Sequence, residues 1–566
     1  MSNSIHDKYT LSNAQISRIA IQRLYITMKH LFFRGNYKPM GMSGESMIQA
    51  LLDLRPEIYG SIADPQKLEI SGLLYVFQRL PQGIEECRYI TLISREGYEN
   101  SKFEPIIPTK RKRNCYRIDE EQMYIEMTRG RSDIYDIMTH LTFMYIEAEK
   151  IKRAALTGTR KNRAWVMLET IVHQIERGET YSQELAYTYL SSLIGRSYEE
   201  TATACEKFER SSQVNDLFSI VYWLGKMAID EFINKQSRVI LFSNLLQQNL
   251  GSHQFGEIWA DNIKQHLHKE NLLNRPIHVI SANMHSVMNS LYAEQALKTH
   301  LVEKSLEDLA EKLSTINGKP LREIVQQHAI AHGMIQIEDI AGTNIPVQIF
   351  DLSAFDSASL PKEIKWVKPE NIEDVPVLVV MDYAFGEQAY ETMDELLKPF
   401  DKRGMELPVN VKSINIMGKA GILTGKKGDI MIPTAHVFEG STDNYPFDNQ
   451  VNEKDFYGHE LGVYKGPMIS VLGTSLQNKD ILTYFMKSSW GMIGLEMEGA
   501  HYQKAIQVAS KIRGSINSNT VLRYAYYASD NPLETGSTLA SGSLGLDGVK
   551  PTYLITTSFL NSIFEG

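Results

Sequence analysis

Apolar residues recur at three- and four-residue spacing through SRIAIQRLYITMKHLFF and DIYDIMTHLTFMYIEAEKIKRAAL, so residues 1 to 235 read as mainly helical. One interruption, ECRYITLIS, alternates and is rich in β-formers, the pattern of a strand. After 235 the texture changes. SRVILFSN, RPIHVISAN and IPVQIFDLS are short β-branched runs, separated by helical stretches such as GEIWADNIKQHLHKENLL. After 365 a second block begins, with strands VPVLVVM, SINIM, GDIMIPTAHVF, PMISVLGTS and VLRYAYYASD. Its helices are GEQAYETMDELLKPF, NKDILTYFMKSS, EGAHYQKAIQVASKI and TYLITTSFLNSIF. Strands alternating with helices imply βαβ units and a parallel sheet. The expected organisation is α/β in three parts: a mainly helical domain over 1–235, a small parallel-strand segment over 236–365, and an α/β domain over 366–566.

Composition narrows the class. A chain of 566 residues is long for one core and predicts roughly two to four domains. With 43% hydrophobic and 22% charged residues it reads as a globular chain, and a net charge of -9 offers no global field for nucleic acid. Cys87, Cys115 and Cys205 are far apart and form no CxxC, which predicts a reducing compartment. The start, MSNSIHDKYTLSN, lacks a signal pattern, and no apolar run of about 18 residues exists to span a membrane. A cytoplasmic protein without membrane or nucleic-acid partners is expected.

Candidate chemistry sits in the last block. GLEMEGAHYQKAI embeds Glu496 and Glu498 among small and apolar residues at a helix start, where a plain dipole acid would face water. VLRYAYYASDNPLETG runs from a strand into Ser529–Asp530–Asn531–Pro532; taken alone, that Asp is a turn former. INIMGKAGILTG places Gly418, Lys419 and Gly421 where small residues let a ligand approach the main chain. Elsewhere, SANMHS puts Ser281, Asn283, His285 and Ser286 at a strand end, as an anion site or ordinary helix capping. Lys110 to Arg113 (KRKR) reads as a solvated loop or a phosphate patch, and Arg129 and Arg131 as surface pairs or an effector-phosphate site. Asp136, His140 and Glu147 share one helical face, as a polar network or metal ligands. His328 and His332 in HAIAHG lack the glutamate of a zinc motif, so no metal is expected. The stretch 531–551, with Gly536, Gly542, Gly545 and Gly548, reads as a long loop.

The ordered set MGKAG, GDIMIPTAHV, EMEGA and ASDNPLETG resembles the purine nucleoside phosphorylase superfamily, which also contains the methylthioadenosine/S-adenosylhomocysteine nucleosidases and AMP nucleosidase. The resemblance covers roughly residues 370 to 566, and SDNPLETG with its following loop looks most like AMP nucleosidase. It implies a three-layer α/β domain that cleaves the N-glycosidic bond of a purine nucleoside or nucleotide, without a cofactor, in a homo-oligomer. By motif match, Glu498 grips the ribose hydroxyls and Asp530 protonates the leaving base. Gly418, Lys419, Gly421, Met497 and Ser529 are then expected to contact the substrate, with Asp382 or Glu387 activating water. Lys419 stands where a small residue or hydroxyl is common, and arginines are scarce after Lys365, which points from phosphorolysis toward hydrolysis or toward a phosphate on the substrate. A phosphorylase using inorganic phosphate, and a non-catalytic nucleotide sensor, are the alternatives.

Overall fold

The computed structural model describes residues 11–299, 305–355, 360–441, 443–534 and 544–565. The chain divides into two compact units, Met1–Ser252 with Ser475–Ile481, and His253–Thr474 with Leu482–Gly566.

The first unit is more than helical. Five short strands pair in the order Asn36–Tyr37, Val239–Phe242, Tyr89–Ile93, Gln122–Glu126, Cys115–Arg117. The three inner strands are parallel and both edge strands antiparallel. ECRYITLIS thus forms a strand as its alternation requires. SRVILFSN pairs with that strand, so it closes the first unit's sheet rather than opening a new segment. The division falls at 252, not 235. DIYDIMTHLTFMYIEAEKIKRAA belongs to one long helix, Gly130–Ala155, whose residues are almost all buried. Cys87, Cys115 and Cys205 are free and buried.

The second unit is built on one ten-stranded sheet. Its strands are β1 (Ile277–Ser281), β2 (Met334–Ile337), β3 (Val347–Asp351), β4 (Val377–Met381), β5 (Val411–Ile422), β6 (Ile430–Phe438), β7 (Asn444–Pro446), β8 (Val463–Ser470), β9 (Gly494–Glu496) and β10 (Val521–Asp530). The order β2-β3-β4-β1-β5 joins the strands of 253–365 to those beyond, so no domain boundary falls at 365. β4, β1, β5 and β10 run parallel. Beyond β5 the sheet closes on itself. β5 pairs β10, β10 pairs β6, β6 pairs β8, β8 pairs β9, and β9 returns to β5, giving a five-stranded barrel.

The β-branched run of β4 explains its central place. Val377, Val379 and Met381 enter one apolar cluster and Leu378 and Val380 the other, so both faces are buried. Helices α1 (Met284–Leu297) and α4 (Val549–Phe564) supply the second cluster. α3 (Gly499–Gln507) packs on the first, as does α2 (Gln388–Leu396). The sheet therefore lies between two helical layers. Gly545 and Gly548 form a short turn of helix before α4, whereas Gly536 and Gly542 lie outside the described residues. Among the described residues no helix is long and apolar enough to cross a membrane.

Candidate active site at the strand ends of the second unit

The segment GLEMEGA folds differently from a plain helix start. Gly494–Glu496 is β9, and α3 begins only at Gly499, so Glu498 is the residue before the helix. Its own side chain does not cap α3. Glu496 caps it instead. The Glu496 carboxylate accepts from the backbone N–H of Glu498 and Gly499 and from the Ser470 hydroxyl. Ser470 Oγ in turn accepts from the Ala500 N–H at 2.8 Å. Burial, with the neighbouring Glu498 charge, lifts the Glu496 carboxyl to about 8.

Because Glu496 occupies the first amides of α3, the Glu498 carboxylate is released toward the strand ends. Its Oε1 accepts the Gly386 N–H at 2.9 Å. Burial pushes this carboxyl up to about 7, against the pull of that N–H and of the Lys419 ammonium. The small residue after it has a specific reason. A Cβ on Gly499 would lie 2.3 Å from His436 Cδ2, so the glycine makes room for a buried imidazole rather than for a ligand. Burial drives the His436 ring down to about 3, so it is neutral, and it stacks on Phe447 with centroids 5.3 Å apart.

Asp530 ends β10, paired with Gly421 of β5 just after a register shift in which Ser529 is the extra residue. It is 1% exposed. The Ser529 hydroxyl donates to Oδ1 at 2.7 Å, and Oδ2 has no hydrogen-bond partner among the described residues. Burial raises its proton affinity; the Ser529 bond and the charges of Lys427 and Lys419 act the other way. One oxygen is thus fixed by the chain and the other is open.

Lys419 is exposed on β5, and the whole GKAG stretch lies inside that strand rather than in a turn. A Cβ on Gly418 would come 2.9 Å from the Tyr526 ring, and one on Gly421 2.8 Å from Leu495, so both glycines accommodate packed side chains. The Lys419 charge favours the ionised form of Glu498 and of Asp530 alike. Met497 and Ser529 are buried beside the two acids. Asp382 follows β4, and its charge, like that of Glu498, acts on Tyr502, whose hydroxyl lies 3.1 Å from Ser281 Oγ. Glu387 immediately precedes α2, next to the Gly386 amide that holds Glu498.

Other candidates have structural duties. Asn283 caps α1, accepting the His285 N–H at 3.0 Å, and Ser286 donates to Asn283 O at 2.7 Å. His328 and His332 stack with ring centroids 4.0 Å apart. Among the described residues one grouping, His253 with Asp394 and Glu395, has metal-ligand spacing. Its acids already pair with cations, Asp394 with Arg513 at 2.9 Å and Glu395 with Lys398 at 2.6 Å. In the first unit, KRKR is no simple solvated loop. Lys110 and Lys112 are exposed, while Arg113 is buried on Asp133 and Asp136, and Arg111 bonds Asp136. His140 approaches Asp136 at 3.4 Å, and Glu147 pairs with Lys150 at 2.8 Å, so that helical face is a polar network.

The Gly386 amide, Tyr502, Lys427 and His436 carry no sequence signal of their own. His436 lies inside the GDIMIPTAHV motif, but nothing local tells a buried imidazole from an exposed one. Tyr502 stands one helical turn after Glu498, its N–H on the Glu498 carbonyl at 2.9 Å, whereas Lys427 acts on Asp530 from the segment between β5 and β6.

Comparison with solved structures finds chains of similar outline and low identity. Campylobacter jejuni 5'-methylthioadenosine/S-adenosyl homocysteine nucleosidase is 10% identical, with 52% of this chain and 100% of that chain covered, at a TM-score of 0.31. A futalosine hydrolase mutant of Helicobacter pylori strain 26695 is 11% identical, covering 51% and 99%, also at 0.31. Isoform 2 of uridine phosphorylase from Schistosoma mansoni is 12% identical, covering 53% and 87%, at 0.30. No curated protein matches. One family matches across both units, over residues 45–323 and 309–565. The chain therefore belongs to the family of unknown function DUF6909.

Proposed function

We propose that the second unit hydrolyses the N-glycosidic bond of a purine nucleotide or nucleoside, AMP-like first, releasing the free base. The observation that carries this reading is the different holding of two acids that both feel the Lys419 charge: the Gly386 N–H donates to Glu498, whereas Asp530 has Oδ1 on the Ser529 hydroxyl and Oδ2 without a hydrogen-bond partner among the described residues. Asp530 is held by burial toward its protonated form with one oxygen open, the state a general acid needs. Glu498 is held by main-chain N–H groups, that of Gly386 at 2.9 Å among them, leaving carboxylate capacity for ribose hydroxyls, and its negative charge favours an oxocarbenium-like sugar. In the proposed step water attacks C1', the C1'–N9 bond breaks, and its electron pair goes to the base as Asp530 delivers a proton to N7. The proton lost by the water passes to Asp382 or Glu387. Asp382 shares Tyr502 with Glu498, which favours it.

Water is preferred to phosphate because two of the three arginines of the last block are engaged elsewhere and the third, Arg403, is exposed in the turn between the paired strands Phe400–Lys402 and Met405–Leu407. Arg513 pairs with Asp394, and Arg523 donates to Asn415 and to the Ser562 carbonyl. Lys419, exposed beside both acids, is the group proposed to read a 5'-phosphate. Lys419→Met should then weaken a nucleoside monophosphate by about ten- to a hundredfold and spare the nucleoside, the range for one charge-assisted contact. The test of the sugar assignment is Glu498→Gln on ribosides and their 2'-deoxy analogues. Ribosides should lose far more; equal losses would remove Glu498 from the sugar. Ribose 1-phosphate formed only in added phosphate would make the enzyme a phosphorylase instead.

A further inference from the structure

Helix Asn13–Arg34 of the first unit is apolar on both sides. Ala20, Ile21, Leu24, Met28 and Leu31 form its buried face. On the other side Ile16, Ile19, Arg23, Ile26, His30 and Phe33 follow at alternate three- and four-residue steps, which lines them up along the helix. All of them are exposed. Ile19 is 44%, Ile26 66% and Phe33 58% accessible. Met42 extends the stripe. It begins helix Met42–Leu54, which packs antiparallel on the first: Thr27 Oγ1 lies 3.2 Å from Ser46 Oγ, and Arg23 lies 3.4 Å from Asp53. Met42 therefore stands level with the last turn of the first helix, 94% exposed. Single exposed apolar residues need no explanation, but a continuous line of them marks a surface that meets something.

The charge of this face indicates what it meets. Helix Asn13–Arg34 carries Arg18, Arg23, Lys29 and Arg34 and no Asp or Glu, in a chain whose net charge is -9. Lys29, one turn before Phe33, and Arg34, next to it, are exposed, as is Lys38 in the connection to Met42. The second helix contributes two acids, Asp53, which pairs with Arg23, and Glu45, so cations prevail. A second copy laid on the same face would set cation against cation, with no carboxylate on the first helix to answer them. A surface of anionic lipid answers both features. Its phosphates meet the lysines and arginines at headgroup level, and the Ile, Phe and Met side chains reach the acyl boundary.

We propose that the face formed by helix Asn13–Arg34 and Met42 binds peripherally to a membrane surface bearing anionic lipids. Peripheral attachment needs no spanning helix, so the expectation of no membrane partner, which rested on the lack of a long apolar run, does not bear on it. Ile26, Phe33 and Met42 supply the apolar contact, and Lys29, Arg34 and Lys38 the attraction to phosphate.

The test mixes the full-length protein with vesicles of phosphatidylcholine alone, and of phosphatidylcholine and phosphatidylglycerol in equal parts, and measures the bound fraction by cosedimentation as lipid is raised. The wild type should bind the anionic vesicles saturably, bind the neutral ones far more weakly, and come off as salt is raised. Phe33→Ser with Met42→Ser, and separately Lys29→Glu with Arg34→Glu, should each weaken binding to anionic vesicles by about tenfold or more. Circular dichroism of each variant separates lost binding from lost folding, and the wild-type comparison of the two vesicle types needs no variant. Sedimentation velocity without lipid reads the rival occupant, a second copy. No binding of the wild type to anionic vesicles, or equal binding to both kinds, would overturn the proposal. So would vesicle binding that either pair of substitutions leaves unchanged. Self-association in its place, abolished by Phe33→Ser with Met42→Ser, would give the face to a second copy instead.

Discussion

Glu498 and Asp530 are both carboxylates raised by burial, yet their surroundings fit different roles. Asp530 has one oxygen tied to Ser529 and one open; Glu498 is gripped by a main-chain N–H. Asp530→Asn keeps the shape and loses the proton, so turnover should fall by roughly 10²–10⁴ with binding largely kept. Steady-state kinetics on a purine substrate checks it, and near-normal turnover would remove the acid role. The pH profile follows from the same environments. Glu498 must be ionised to accept hydroxyl hydrogens, so kcat/KM should rise through about 7. Asp530 must be protonated, so its own limb is a loss of activity as pH rises through its raised pKa, and Asp530→Asn should remove that limb. The Lys419 ammonium favours both ionised forms, so Lys419→Met should move both limbs to higher pH; an unmoved profile would separate Lys419 from the acids. Gly499→Ala tests the other finding here. The new Cβ meets a buried, stacked imidazole, so it should destabilise the fold by about 1–3 kcal/mol in chemical denaturation and misplace Glu498. The two acids were legible because their motifs are local. The reason for Gly499 was not, because His436 comes from a strand distant in sequence that only the closed barrel brings alongside.

At the scale of elements, periodicity identified most strands and helices of the second unit, but not which sheet each strand joins. VILF reads the same whether it opens an α/β segment or closes an earlier sheet; pairing with Tyr89–Ile93 decides it. KRKR likewise reads as a solvated run until the chain places alternate residues in and out. The arginine cluster that results makes a stability prediction. Asp136 is buried, which raises its pKa, but Arg111, His140 and Arg113 overcome this and hold it well below the usual range. Asp133 is likewise lowered, by Arg113 and Arg129 against its burial. Their stabilisation is complete above the unfolded carboxylate pKa and is lost as pH falls through their depressed folded values. Asp136→Asn leaves Arg111 and Arg113 short of a partner and should cost about 3–5 kcal/mol, measured by denaturant melts near neutral pH. A loss below about 1 kcal/mol would mean that the charges there are already compensated.

For the whole molecule, the overall charge of -9 says nothing of the nucleosidase reading proposed for the second unit, which depends on two carboxylates and one lysine rather than on net charge. Glycosidic cleavage with Asp530 as proton donor stands at the centre. Its most direct test incubates full-length wild type and Asp530→Asn with a panel of purine nucleosides and nucleoside monophosphates, without phosphate, and measures released base. The wild type should yield free base and ribose or ribose 5-phosphate, with AMP among the best substrates, and Asp530→Asn should be at least about a hundredfold slower. No base released from any substrate, with or without added phosphate, while a nucleotide still binds, would refute glycosidic cleavage and leave a nucleotide sensor in its place.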